Sequence, residues 1–279
     1  MVLGAADLWS LHTDGEAVII AQGTTPRASV SLAGHGACKP NGRPVIMAMF
    51  DYRQEGWVTN TDCFVLPEYL ESENAREFWE GAGSGIDNGR VFVMTPLLPK
   101  YQVDALVSMI ERENVGKDDV PDLLLVNFKT PDYVGHNFGP ASEEMKEALE
   151  AMDREIARAL AALDAAAGAN GYVLAVTADH GMPPEPEGTG HERRFIREVM
   201  AAIHEKLDPD GGRLIYEFLD TANNQLYINH ARMLELGLEL EEIAVVVEDL
   251  AYVRAAFTEH EVRNEAGKLT GSSWNDGGD

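Results

Sequence analysis

Two short clusters carry side chains able to bind a divalent cation. Thr130-Pro131-Asp132-Tyr133-Val134-Gly135-His136 sets a carboxylate and an imidazole four residues apart, and Thr177-Ala178-Asp179-His180-Gly181 sets the same pair side by side. Carboxylate oxygen with imidazole nitrogen suits zinc or manganese. One turn of chain can bring Asp132 and His136 to one ion, and a strand-to-loop switch can aim Asp179 and His180 at another. Taken alone, the first cluster reads more simply as an aspartate capping a helix and a surface histidine. Two such clusters, each directly after an apolar run, favour a shared dinuclear centre.

The elements that must position them follow from periodicity. Asp122-Leu123-Leu124-Leu125-Val126-Asn127-Phe128 is a short continuous apolar run, as expected of a central parallel strand. Ser142 opens a long helix in which Met145, Leu149, Met152, Ile156, Leu160 and Leu163 recur at three- and four-residue steps, closed by Gly168 and Gly171. Tyr172-Val173-Leu174-Ala175-Val176-Thr177 again reads as a strand. Strand, helix, strand over 122–177 forms a βαβ unit with a right-handed crossover. Both clusters then fall at the carboxyl ends of neighbouring strands, the edge where open α/β sheets bind ligands.

Upstream, helices are expected at 5–13, 74–81 and 100–112, and strands at 17–21 and 45–50, with 57–59 pairing back as a hairpin. After about 190 the order becomes a helix near 192–206, strands at 213–219 and 225–229 around a turn at 221–224, a helix at 239–250 and a strand at 252–257. The fold class is therefore α/β, a mostly parallel sheet flanked by helices, with a small α+β module. The boundaries read as a core over 1–190, a module over 191–265 and a tail over 266–279.

The chain has 279 residues, 45% of them hydrophobic and 25% charged, with a formal net charge of −25. Such a charge repels nucleic acid and anionic membranes, so neither is expected as a partner. A small phosphate ester becomes a plausible substrate only if bound cations reverse the local sign. No run approaches the roughly 20 apolar residues of a membrane span, and the N-terminus lacks the basic stretch and cleavage site of a signal peptide. Cys38 and Cys63 could pair, but they are too few and too widely spaced to define a framework or a zinc knot, and they read as unpaired or incidental. The oligomeric state is left open.

Asp132-x-x-x-His136 followed by Thr177-Ala178-Asp179-His180-Gly181 resembles the alkaline phosphatase superfamily. The likeness is to the branch of type I phosphodiesterases, nucleotide pyrophosphatases and related bacterial alkaline phosphatases. Arg27 to His35, Trp57 to Thr61 and Phe257 to Val262 add to it. The resemblance implies a metal-dependent phosphate-ester hydrolase with two zinc ions and a periplasmic or extracytoplasmic setting. By motif, Asp132 and His136 would serve one ion, and Asp179 and His180 the other. The resemblance also implies a Thr or Ser nucleophile just after an N-terminal aspartate, and a distant C-terminal histidine ligand. No strand-Asp-Thr or strand-Asp-Ser motif precedes residue 120, and no Gly-Thr-x-His-Gly follows the module. The expectation is a fragment in which each ion lacks one protein ligand and turnover is slight, or alternatively a catalytically inactive metal-binding pseudoenzyme domain.

Stand-ins are weak. Thr24 and Thr25 read as loop residues, His35 as a loop histidine, and His191 precedes the module instead of following it. Arg27 matches the arginine of a Lys-x-Arg pair that grips the phosphoryl group in the related phosphatases, with Thr25 in place of the lysine. Loss of that lysine favours a diester over a monoester dianion.

Overall fold

A computed structural model of the chain describes residues 3–34, 42–216 and 225–262. The chain divides into two compact units, Met1–Thr189 and Gly190–Asp279.

The first unit begins with α1 (Ala5–His12), β1 (Ile19–Gly23) and α2 (Pro26–Ala33), then β2 (Ile46–Asp51) and β3 (Gly56–Val58). Short helices α3 (Glu68–Glu71), α4 (Ala75–Gly81) and α5 (Gly89–Phe92) lead to α6 (Leu97–Arg112), β4 (Leu123–Val126), α7 (Thr130–Phe138) and α8 (Glu143–Ala167). The sheet order is β3-β2-β1-β4. β1 pairs in parallel with both β2 and β4, and β2 turns back antiparallel onto β3.

β1 is the central strand, and its Ile19, Ile20 and Ala21 are buried on both faces. On one face Ile20, Ile46, Phe50 and Trp57 pack under α4, α5, α6 and α8. Phe92 meets Phe50, Phe78, Trp79 and Tyr101 with ring centroids 4.8–6.2 Å apart. On the other face Ile19, Ala21, Val45, Met47 and Phe64 pack with α1 and α2. The Asp122 carboxylate ties down the entry to the sheet, accepting from Val18 N and Gly116 N, each at 2.7 Å. α8 starts where Ser142 Oγ accepts from Met145 N at 3.1 Å, a serine N-cap.

Two sequence expectations fail here. The run at 123–126 is an edge strand, partly exposed along its length, not a central one. The run at 172–177 forms no strand, and Val173, Leu174 and Val176 are 97%, 54% and 76% exposed. The βαβ unit is therefore not closed. An apolar pattern reports a preference for burial, whereas a ladder also needs a neighbour in hydrogen-bonding reach. β4 has only β1 beside it among the described residues.

Cys63 is disulfide-bonded, against the reading of unpaired cysteines. The sequence holds one other cysteine, Cys38, which lies outside the described residues together with His35 and the tail from 263. An apolar environment and a nearby thiol are invisible to spacing alone, which is why pairing could not be read from two cysteines.

The second unit has α9 (Ile196–Leu207), α10 (His230–Glu235), α11 (Leu240–Glu248) and α12 (Glu259–Val262) around a core of Val199, Met200, Ile203, Leu214, Ile215, Ile243 and Val247. The expected hairpin survives as one antiparallel bridge, Ile215 to Ile228, while 252–257 is irregular where a strand was expected. Asp208, 1% exposed, is held by Arg232, whose Nη2 donates to Oδ1 at 2.6 Å. No helix among the described residues is long and apolar enough to cross a membrane.

Candidate metal centre

Asp132 and His136 lie on α7, which starts four residues after β4. Pro131 falls in its first turn, where a missing N–H costs nothing, and Asp132 sits where the helix N-terminus favours negative charge. The spacing of four stacks His136 one turn above Asp132, with Nε2 3.5 Å from Oδ1. The helix is a feature that sequence reading reduced to a single turn.

The second cluster reaches the first through packing. Met182 lies against Gly135 on α7, where a Cβ would collide with its thioether. It joins Val134, Met145 and Ala148 in a small apolar cluster between α7 and α8. This anchors the 177–181 segment, and His180 Nε2 comes to 3.4 Å from Asp132 Oδ1 and 3.7 Å from Asp179 Oδ2. All four acid and imidazole groups are thus linked through Asp132 and His180, although the second segment is not a strand.

The donor types at this edge are ones that can bind a cation. The His180 ring lies with Nδ1 3.0 Å from the Gly181 carbonyl. A carbonyl only accepts, so Nδ1 carries a proton and Nε2 is the ring nitrogen that faces Asp132. A backbone partner on the far nitrogen is the usual support of a metal-binding histidine. Ligands on one tetrahedral zinc lie about 3.4 Å apart when each bond is about 2.1 Å, and the 3.5 Å between His136 Nε2 and Asp132 Oδ1 is close to that spacing. Among the described residues, however, no three His, Cys, Asp or Glu groups surround a common point as a finished cage would. The donors fit in type and in pairwise spacing, and the described residues leave the cage open. His136, His180 and Asp179 are half or more exposed, with side-chain exposures of 68%, 50% and 80%.

A buried polar network, missed in the sequence, sets the position of this edge. Gln22 Nε2 donates to the Gln102 carbonyl at 2.9 Å, Gln102 Nε2 donates to the Asn127 carbonyl at 3.1 Å, and Asn127 N donates to the Gln22 carbonyl at 2.9 Å. The closed ring ties α6 to the carboxyl ends of β1 and β4, immediately before α7. Its only sequence signal is a glutamine inside an otherwise apolar strand. Lys129 was also missed: its Nζ lies 2.9 Å from Asp132 Oδ2.

The other candidates fare differently. Arg27 is exposed in the first turn of α2 and forms no ion pair with any of the four. Thr25 is the N-cap of α2, its Oγ1 accepting from Ala28 N at 3.4 Å, so its hydroxyl is committed to the backbone. Thr24 is 4% exposed, beside Tyr133, whose phenol burial pushes above its ordinary pKa. Neither threonine is presented as a nucleophile. His191 is exposed in the second unit.

The mainly parallel sheet flanked by helices matches the alkaline phosphatase fold. A crystal structure of wild-type alkaline phosphatase PafA matches 92% of this chain with a TM-score of 0.75 at 21% identity, over 57% of its own length. The chain belongs to the type I phosphodiesterase / nucleotide pyrophosphatase family, whose model matches residues 39–266. Among curated proteins it is 28% identical over 213 residues to alkaline phosphatase PafA of Elizabethkingia meningoseptica, covering 67% of this chain and 37% of that protein. It is 36% identical over 122 residues to alkaline phosphatase PhoD of Zymomonas mobilis, 43% of this chain and 19% of that protein. The chain thus spans well under half the length of these curated relatives.

Proposed function

We propose that this chain contributes part of the active site of a metal-dependent phosphate-ester hydrolase, with Asp132, His136, Asp179 and His180 as ligands to two divalent ions, zinc by donor type. The observation that supports this best is the meeting of both segments on Asp132 Oδ1, at 3.5 and 3.4 Å from two imidazoles. When bound, such ions neutralise phosphoryl oxygens and stabilise the attacking and leaving oxygens of an in-line displacement.

The chain's own groups have limited tasks. Asp132 supplies charge, and His180 presents Nε2 because Gly181 holds Nδ1. The Gln22–Gln102–Asn127 ring holds the edge rigid so that little reorganisation accompanies charge development. Arg27, on the loop side of β1, is the candidate for gripping a phosphoryl group, and the absence of a lysine at position 25 favours a diester. No described residue stands as nucleophile, so this chain alone is expected to turn over slowly. A catalytically inactive metal-binding domain of the same fold is the second reading, favoured by the open cage. A small phosphate ester is the partner in the first reading, and the formal net charge of −25 argues against polymeric nucleic acid. The disulfide at Cys63 supports an oxidising, extracytoplasmic compartment.

The test is zinc titration of the 279-residue chain by calorimetry, followed by hydrolysis of p-nitrophenyl phosphate and bis-p-nitrophenyl phosphate. Zinc binding that Asp132→Asn abolishes is expected. Binding indifferent to Asp132→Asn and His180→Ala would remove the proposal. Metal-dependent turnover would decide for the enzyme over the inactive domain.

A further inference from the structure

We propose that Lys129 is a built-in counter-cation that occupies Asp132 in the metal-free protein and must let go of it when a divalent ion enters. The inference rests on reading Asp132 as a metal ligand and adds the control of that site.

The Asp132 carboxylate divides its two oxygens. Oδ1 faces His136 and His180, both candidate ligands, while Oδ2 receives Lys129 Nζ at 2.9 Å. Both members of this pair are largely withdrawn from water, with side chains 21% and 18% exposed. They differ in this from the chain's freely exposed pairs, such as Lys146–Glu143 at 65% and 84%. Among the described residues, Lys129 is the lysine or arginine paired with any of the four candidate ligands. In a chain with 47 acidic and 22 basic side chains, a cation at this one place is not explained by abundance.

Two features make the pair a switch and not a plain helix-start ion pair. First, Lys129 is the N-cap residue of α7 and its side chain runs forward over the first turn to reach Asp132, three residues on. The helix N-terminus already favours Asp132 without help, so the ammonium is redundant for helix formation. Second, a carboxylate that is partly buried with no cation beside it would carry an uncompensated charge. An ammonium on a flexible four-carbon stem can fill that need and withdraw, unlike a rigid bidentate arginine. A dication arriving at Oδ1 meets a like charge on the other oxygen of the same carboxylate. Entry is therefore an exchange of cations, and zinc affinity is set lower than the donor set alone would give.

The experiment compares zinc affinity, by calorimetry with a competing chelator, for the full chain and for Lys129→Met, Lys129→Gln and Lys129→Arg, alongside thermal melts with and without zinc. Removing the charge is expected to tighten zinc binding at least tenfold in the Met and Gln variants, whereas the Arg variant, whose guanidinium withdraws less readily, is expected to bind zinc more weakly than wild type. The metal-free Met and Gln proteins are expected to melt lower than wild type and to recover fully with zinc, a pattern that loss of a merely structural contact would not produce. Unchanged or weaker zinc binding in both neutral variants overturns the proposal. Wild-type zinc binding that Asp132→Asn leaves intact overturns instead the assignment of Asp132 as a ligand. Absence of zinc binding from every variant overturns both.

Discussion

The disulfide at Cys63 gives the most quantitative handle on how the first unit holds together. Cys63 lies in the turn that returns the chain to the sheet, where Phe64 is buried and Val65 bridges Ile46 at the start of β2. We predict that its partner is Cys38, the one other cysteine in the sequence. The closed stretch is about 26 residues, and the loop-entropy relation gives a stabilisation of roughly 3.5 kcal/mol at 25 °C. For a unit of this size that corresponds to a melting shift of roughly 7–14 °C. Trp57 and Trp79, both buried in the first unit, make tryptophan fluorescence a probe of that unit. Cys63→Ala, Cys38→Ala and the double variant should each lose the same amount, because either change breaks the same bond and the cycle is then fully coupled. Adding reductant to the wild type should reproduce the shift. Losses that add across the two positions would refute the reasoning. So would alkylation of both thiols in the unreduced, folded protein.

Other expectations follow from the packing and the charges. Phe92→Ala empties the centre of the aromatic cluster on one face of the sheet and should cost about 3–5 kcal/mol in urea unfolding, with Trp79 fluorescence as the readout. Ser142→Ala removes the cap of α8 and should cost about 1 kcal/mol, measurable in the same melts. The Asp208 carboxyl is held below its ordinary value of 3.8, chiefly by the hydrogen bond from Arg232. Its contribution to the second unit is thus complete above pH 3.8 and lost as pH falls through the lower folded value. Melting of the second unit between pH 5 and 2 should drop at the acid end, and Asp208→Asn should be less stable at neutral pH with that drop flattened. Lysine in place of Val173 and Val176, which are 97% and 76% exposed, should leave melting unchanged and reduce self-association in sedimentation velocity, since charge blunts an apolar unpaired segment.

Local pattern determined a good deal of this protein. The apolar runs at 19–23, 46–51 and 123–126 are strands, and the three- and four-residue recurrence from Met145 to Leu163 is α8, because burial on one side imposes its period on the residues themselves. Asp132, His136, Asp179 and His180 stood out by type and spacing, before any coordinates. Tertiary structure decided what those patterns do with one another. It made β4 an edge, left 172–177 outside the ladder, and spent Thr25 on a helix cap. It also joined Cys63 to a distant thiol. The approach of His180 to Asp132 depends on Met182 filling the space over Gly135, and the charge balance there depends on Lys129. These are contacts between chain segments whose separation leaves no periodic trace, so each is chosen by packing and electrostatics in three dimensions and not by the order of residues.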